Sequence, residues 1–176
     1  MSAFRRCSRA VVVALATTLP ACQSGASPGH TAGPAPSAAT DRRRPLFVKA
    51  PTGGDRIAPY VANQLARGRE GHYGVLVYVG ATWCEPCQRF HRAVEAGEFD
   101  VLLAGVHLLE FDLDASRDAL HDAGYGSELI PLFAFPNDDG TGSDRRIEGS
   151  IKGPTAIDQN LLPRLQKLLA DQAARR

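Results

Sequence analysis

Two regimes of apolar patterning divide the chain. From Gln23 to Pro45 the residues are mostly Ser, Gly, Ala and Pro, with almost no large apolar side chain. Such a stretch cannot bury enough surface to fold and reads as a tether. From Leu46 onward, strand and helix periodicities alternate. Leu46 to Lys49 is a short strand candidate, and Ile57, Tyr60, Val61 and Leu65 recur at near-helical spacing, predicting a first helix that ends at Gly68. Gly74 to Gly80 is a continuous β-branched run, as expected of a central strand buried on both faces. Cys84 to about Ala96 reads as a helix with Phe90, Ala93 and Val94 as its inward stripe, and Val106 to Asp112 as the next strand. Asp114 can cap a helix running to His121. Leu132 to Phe135 is strand-like, Asn137-Asp138-Asp139-Gly140 signals a turn, and Asp144 to Glu148 can return as a hairpin. A closing helix spans Thr155 to about Ala173; Pro163 within it would cost about 3 kcal/mol in a regular interior, so a kink or restart is expected there. The order, βαβαβ followed by ββα, predicts one α/β domain over residues 46–176 with a central mixed sheet flanked by helices.

The first 21 residues have a different character. Arg5, Arg6 and Arg9 surround Cys7 and precede the apolar run Ala10 to Leu19, a signal-peptide pattern too short to span a bilayer as a mature helix. Leu19-Pro20-Ala21-Cys22 resembles the lipobox of bacterial lipoproteins, in which the leader is cleaved ahead of a cysteine that becomes diacylated; Pro20 departs from the usual residue. The alternative is an ordinary cleaved signal peptide with Cys22 as a leftover thiol. The lipobox resemblance implies a leader over 1–21, lipidation at Cys22 and a lipid-anchored linker over 22–45, whose mean reach as a flexible chain is on the order of 25 Å. Gln23 after Cys22, rather than Asp, resembles outer-membrane sorting. The implied location is the cell envelope, on the periplasmic side, outer membrane before inner. Arg42-Arg43-Arg44 reads as a solvated linker cluster, with contact to anionic headgroups as the alternative.

Charge changes the partner list. The 176 residues carry 20 basic and 19 acidic side chains; without Arg5, Arg6 and Arg9 the balance is 17 against 19. A net charge near −2 gives no electrostatic case for nucleic-acid binding. The folded part, some 130 residues, has room for one modest core.

Chemistry concentrates at Trp83-Cys84-Glu85-Pro86-Cys87, directly after the apolar strand. Two thiols three positions apart can close into a disulfide and reopen. Cys84 at a helix N-terminus would face solvent, where unpaired N–H groups and the helix dipole favour the attacking thiolate. A structural staple is the bland reading, but a bridge this short constrains the unfolded chain least. Zinc usually wants four ligands, and no second CxxC or His pair stands at ligand spacing. Haem attachment needs His after the second cysteine, and Gln88 is there.

Together with Ile130-Pro131 ahead of an apolar strand and Gly149 near the final one, these residues resemble the thioredoxin family over Leu46 to the C-terminus. The resemblance implies a thioredoxin-like fold and a thiol-disulfide oxidoreductase that needs no metal or other cofactor. Cys84 would be the attacking thiolate, Cys87 the buried resolving thiol, and Pro131 a cis proline facing the disulfide, with Ile130 offering its backbone to an extended substrate. Trp83 would lie against the thiols. Partners would be disulfide- or thiol-containing envelope proteins, an electron donor, and the membrane through the lipid.

Two departures from that family matter. The buried Asp usual six residues before the first cysteine is Tyr78 here, so proton handling at Cys87 must differ. His91 shares a helix face with Cys84 and Cys87 and is a proton-shuttle candidate, though the simpler reading is a helix-surface histidine. Glu85 replaces the common Gly; its charge disfavours thiolate at Cys84 and should make the disulfide less oxidising. This CEPC form resembles tethered thiol reductases of bacterial envelopes, hence a reductant rather than an oxidant. Asp112, Asp114 and Asp118 fit capping better than a cation site, and His30, His72, His107 and His121 are scattered. The rival function is a tethered metallochaperone holding Cu(I) between Cys84 and Cys87.

Overall fold

The computed structural model describes residues 44–52 and 56–175. The expected leader, Cys22 and most of the expected tether lie outside those residues. Five strands form one sheet: β1 (Leu46–Lys49), β2 (Gly74–Gly80), β3 (Val106–Asp112), β4 (Leu132–Pro136) and β5 (Gly142–Glu148), in the spatial order β1-β3-β2-β4-β5. β1, β3 and β2 are parallel, β4 runs antiparallel to β2, and β5 antiparallel to β4. Among the described residues four α-helices accompany them: α1 (Ile57–Gly71), α2 (Glu85–Glu95), α3 (Leu113–Asp122) and α4 (Leu162–Ala173). This is the mixed, helix-flanked sheet of a thioredoxin-like α/β fold.

The apolar pattern explains the layers. β2 sits centrally between two neighbours, and Val75 through Val79 are all buried, so both of its faces are covered. Tyr78 meets Phe90 of α2, Phe47 of β1 and Phe133 of β4, with ring centroids 5.2–5.8 Å apart, which puts α2 on one face. On the other face, Tyr60 of α1 stands edge-on to Phe111 of β3 at 6.1 Å. Phe90, Phe99 and Phe133 are fully enclosed. Each such ring removes a large apolar area from water and gains from the edge-on geometry, so this cluster anchors the helix that carries the cysteines.

Several boundaries differ from expectation, each for a local reason. α1 continues past Gly68 to Gly71, where His72 closes it in the left-handed conformation and Tyr73 N–H returns to the Gly68 carbonyl at 3.0 Å. Gly68 is thus an interior residue, and a Cβ there would stand 2.9 Å from the Tyr73 carbonyl oxygen. The cap of α3 is Asp112, whose Oδ1 accepts the Ala115 N–H at 2.9 Å; Asp114 lies within the first turn and serves elsewhere. β5 begins at Gly142, two residues before the expected return. The irregularity expected at Pro163 takes the form of a π-helical turn over Ile157–Leu161 that runs directly into α4, with Pro163 in the first turn of α4.

Candidate active site

Cys84 is the N-cap of α2, placed there by the sharp exit from β2 through Ala81, whose carbonyl accepts the Cys84 N–H at 3.1 Å. Its Sγ accepts the Cys87 N–H at 3.3 Å. A sulfur at this position takes up one of the helix's orphan donors and sits at the positive end of its dipole, both of which favour the thiolate. Pro86 fits the first turn because its missing N–H is not required there. Cys84 and Cys87 are joined as a disulfide, with Cα atoms 5.2 Å apart.

The sulfurs differ in what they face. Contrary to the expectation of an open first thiol, Cys84 is only 4% exposed and Cys87 2%. Folding at the strand end tucks both against the core, and access to Cys84 comes through a groove of about 490 Å³ that it lines with Trp83, Glu85, Pro86, Leu129 and Ile130. Cys87 lines a different cavity, of about 520 Å³, behind the helix.

Around the groove the sequence candidates converge. The Ile130–Pro131 bond is cis, as the resemblance implied, and Pro131 is buried while Ile130 borders the groove. The Pro131 carbonyl accepts the Gly149 N–H at 2.9 Å. Gly149 has φ +65°, which favours glycine, and a Cβ there would come a tight 3.0 Å from that of Leu129. Trp83 is 61% exposed on the rim, and its indole N–H donates to Asp114 Oδ2 at 2.7 Å. Leu129 and Ile151 are the other exposed apolar rim residues.

Glu85 is tied in two directions. Its carboxylate pairs with Arg89 one turn along α2, and both oxygens accept the Gly153 N–H at 3.3 Å. The Arg89 hydrogen bond, aided by Gly153, holds its pKa below the usual carboxylate range, so it stays ionised beside Cys84. Arg89 offsets part of that charge. The Gly153 contact links the start of α2 to the loop after β5, the far wall of the groove. Arg164 of α4 fixes the same wall by donating to the carbonyls of Gly149 at 2.6 Å and Glu148 at 2.8 Å.

His91 is not a free surface residue. Its Nε2 lies 3.0 Å from Glu110 Oε1, and its ring stacks on Phe47 with centroids 4.1 Å apart and planes 10° from parallel. The expectations missed Glu110, Arg164 and Gly153. Glu110 did leave a signal, a carboxylate inside the apolar strand Val-His-Leu-Leu-Glu-Phe, where an acid needs a partner. Among the described residues no group of three or more His, Cys, Asp or Glu side chains is arranged to hold a metal ion. No helix among them is long and apolar enough to cross a membrane.

No family model and no curated protein matches the chain. Among solved structures it is similar to a poplar thioredoxin h, at 21% identity and TM-score 0.44 over 74% of this chain and 96% of that one. It is also similar to Fasciola hepatica thioredoxin, at 22% and 0.37 over 65% and 92%, and to Trichomonas vaginalis thioredoxin, at 24% and 0.38 over 61% and 86%.

Proposed function

We propose that the protein is a thiol-disulfide oxidoreductase that exchanges the Cys84–Cys87 pair with disulfides of other proteins. One observation carries this reading: Cys84, bonded to Cys87, caps a helix and lines a groove that Ile130, of the cis Ile130–Pro131 peptide, lines as well. In the reducing direction, Cys84 thiolate attacks one sulfur of a client disulfide, and the other client sulfur leaves as a thiolate. Cys87 then gives up its proton and attacks Cys84, the mixed disulfide breaks, and the client departs with two electrons gained. Trp83, Leu129 and Ile151 supply apolar contact for an extended client segment, and Ile130 supplies backbone groups.

The direction we propose is reduction, supported by the ionised Glu85 beside Cys84, whose charge opposes thiolate formation. Arg89 weakens this bias, so equilibration with glutathione is the deciding measurement. A potential close to that of thioredoxin supports the reductant, and one close to strong periplasmic oxidants reverses the assignment. We further propose that the domain acts from the envelope membrane through a lipid on Cys22, a reading supported by the sequence before Gln23; labelling with a palmitate analogue, lost in Cys22→Ser, tests it.

The exchange itself is tested in two variants. Cys84→Ser should abolish reduction of a protein disulfide, and Cys87→Ser should stall as a covalent complex through Cys84. A pair that dithiothreitol cannot reduce, or two variants that both retain turnover, would overturn the reading. A copper-holding role for the same sulfurs predicts Cu(I) retention without insulin reduction.

A further inference from the structure

We propose that His91 and Glu110 form the proton-accepting pair for Cys87: Glu110 holds the imidazole, and His91 receives the thiol proton when the mixed disulfide is resolved. This deepens the exchange reading above and rests on it.

Cys87 is enclosed, and burial disfavours a charged thiolate, so the thiol needs an acceptor at hand before it can attack. The cavity behind α2 supplies the candidates, with walls from β1, β2, β3 and α2. His91 lies one helical turn beyond Cys87 on the same face, and both line this cavity. Its Nε2 is engaged by Glu110 Oε1 at 3.0 Å. An imidazole that donates its Nε2–H to a carboxylate keeps the Nδ1 lone pair as its acceptor, and the carboxylate stabilises the imidazolium that forms. Phe47 stacks on the ring, and Tyr78 meets it edge-on with centroids 5.5 Å apart, so its plane is held from two sides.

The other charged and titratable groups on the cavity wall do not replace this pair. Tyr78 stands opposite Glu110 in the strand register, and burial, reinforced by the Glu110 charge, keeps its phenol protonated. Asp112 is engaged in capping α3. Lys49 on β1 and Arg92 on α2 are cations, and Glu95 is exposed on the last turn of α2. Glu110 is itself a poor base, because the His91 hydrogen bond, aided by the Lys49 charge, outweighs burial and lowers its proton affinity. The imidazole is therefore the acceptor. In the step, the Cys87 S–H proton goes to His91, the Cys87 thiolate bonds to Cys84 Sγ, and the Cys84–client S–S bond breaks with its electron pair on the client sulfur. His91 then returns the proton to solvent or to the departing thiolate.

The test uses the full chain carrying Cys7→Ser and Cys22→Ser, reduced, and mixed with 5,5′-dithiobis(2-nitrobenzoic acid). Attack by Cys84 releases one thionitrobenzoate, and resolution by Cys87 releases a second, so stopped-flow absorbance separates the steps. Glu110→Gln should slow the second phase about tenfold or more near pH 7 while sparing the first, with the gap narrowing as hydroxide takes over at alkaline pH. His91→Gln should act likewise, the double variant should be no slower than either single one, and Glu110→Asp should recover part of the rate. A second phase that none of the variants alters, or equal slowing of both phases at every pH, overturns the pair while leaving exchange intact. Release of only one equivalent by the unsubstituted pair overturns the exchange reading itself, and the proton pair with it.

Discussion

Replacing Asp112 and Asp114 one at a time by Ala separates two jobs that neighbouring carboxylates perform. Asp112 Oδ1 caps α3 through the Ala115 N–H at 2.9 Å, so its removal leaves a helix-end donor without its acceptor. The usual loss is about 1 kcal/mol, within a range of roughly 0.5–2. For a folded part of this size, that lowers the melting temperature by roughly 4 °C. Asp114 instead accepts the Trp83 indole N–H at 2.7 Å, but its side chain is 52% exposed and Trp83 is 61% exposed. Water competes for both ends, so Asp114→Ala should cost only a few tenths of a kcal/mol. What it should change is the indole's surroundings. Trp83 is the sole tryptophan of the chain, so emission reports on it alone. Urea denaturation and acrylamide quenching together give the assay. Asp112→Ala should shift the midpoint and leave quenching unchanged; Asp114→Ala should raise quenching and leave the midpoint nearly in place. The reverse pattern would refute the assignment of cap and indole acceptor.

Two further outcomes follow from packing and charge. Gly140 in the β4–β5 turn has φ +83°, and a Cβ there would run into the α1 backbone at Ala58 and Ala62, whereas Gly105, with φ +68°, has nothing within 4 Å. Gly105→Ala should cost about 1–2 kcal/mol in urea for the left-handed backbone alone, and Gly140→Ala a further 1–3 for overpacking; equal costs would show that the turn can move away from α1. Glu110 is held ionised in the fold below its ordinary value of 4.5, chiefly by the His91 hydrogen bond. A lowered folded value contributes stability that is present above pH 4.5 and lost as pH falls through that folded value. The stability difference between wild type and Glu110→Gln should therefore shrink on acidification below pH 4.5, and a gap that widens instead would sink the pairing.

Much of this architecture was legible because the chain punctuates itself. β1, β2 and β3 begin and end where the apolar pattern said, since each is an apolar or β-branched run bounded by glycine, charge or a change of period. The CxxC spacing pointed to the candidate site for the same reason, since its chemistry is local in sequence, whereas the Ile130-Pro131 step entered through the family resemblance. Relations that arise only in three dimensions were illegible. Asp112 and Asp114 are equally good caps on paper, and the second is free to accept from the Trp83 indole, 31 residues away in sequence. Glu110 meets His91 only because β3 lies beside β2 in a parallel register that sets Glu110 against Tyr78. Burial of Cys84 was likewise invisible, because helix capping describes the backbone and says nothing of the groove walls brought in from residues 128–130 and 148–152.

The disulfide works as a partition between two compartments, since Cys84 borders the groove and Cys87 the chamber behind α2. In the exchange proposed above, client contact and proton transfer would thus take place on opposite sides of one covalent bond. Under that proposal, drift on the outer bank would retune which clients are admitted without disturbing the inner relay, and alterations to the relay would retune pace without changing the guest list.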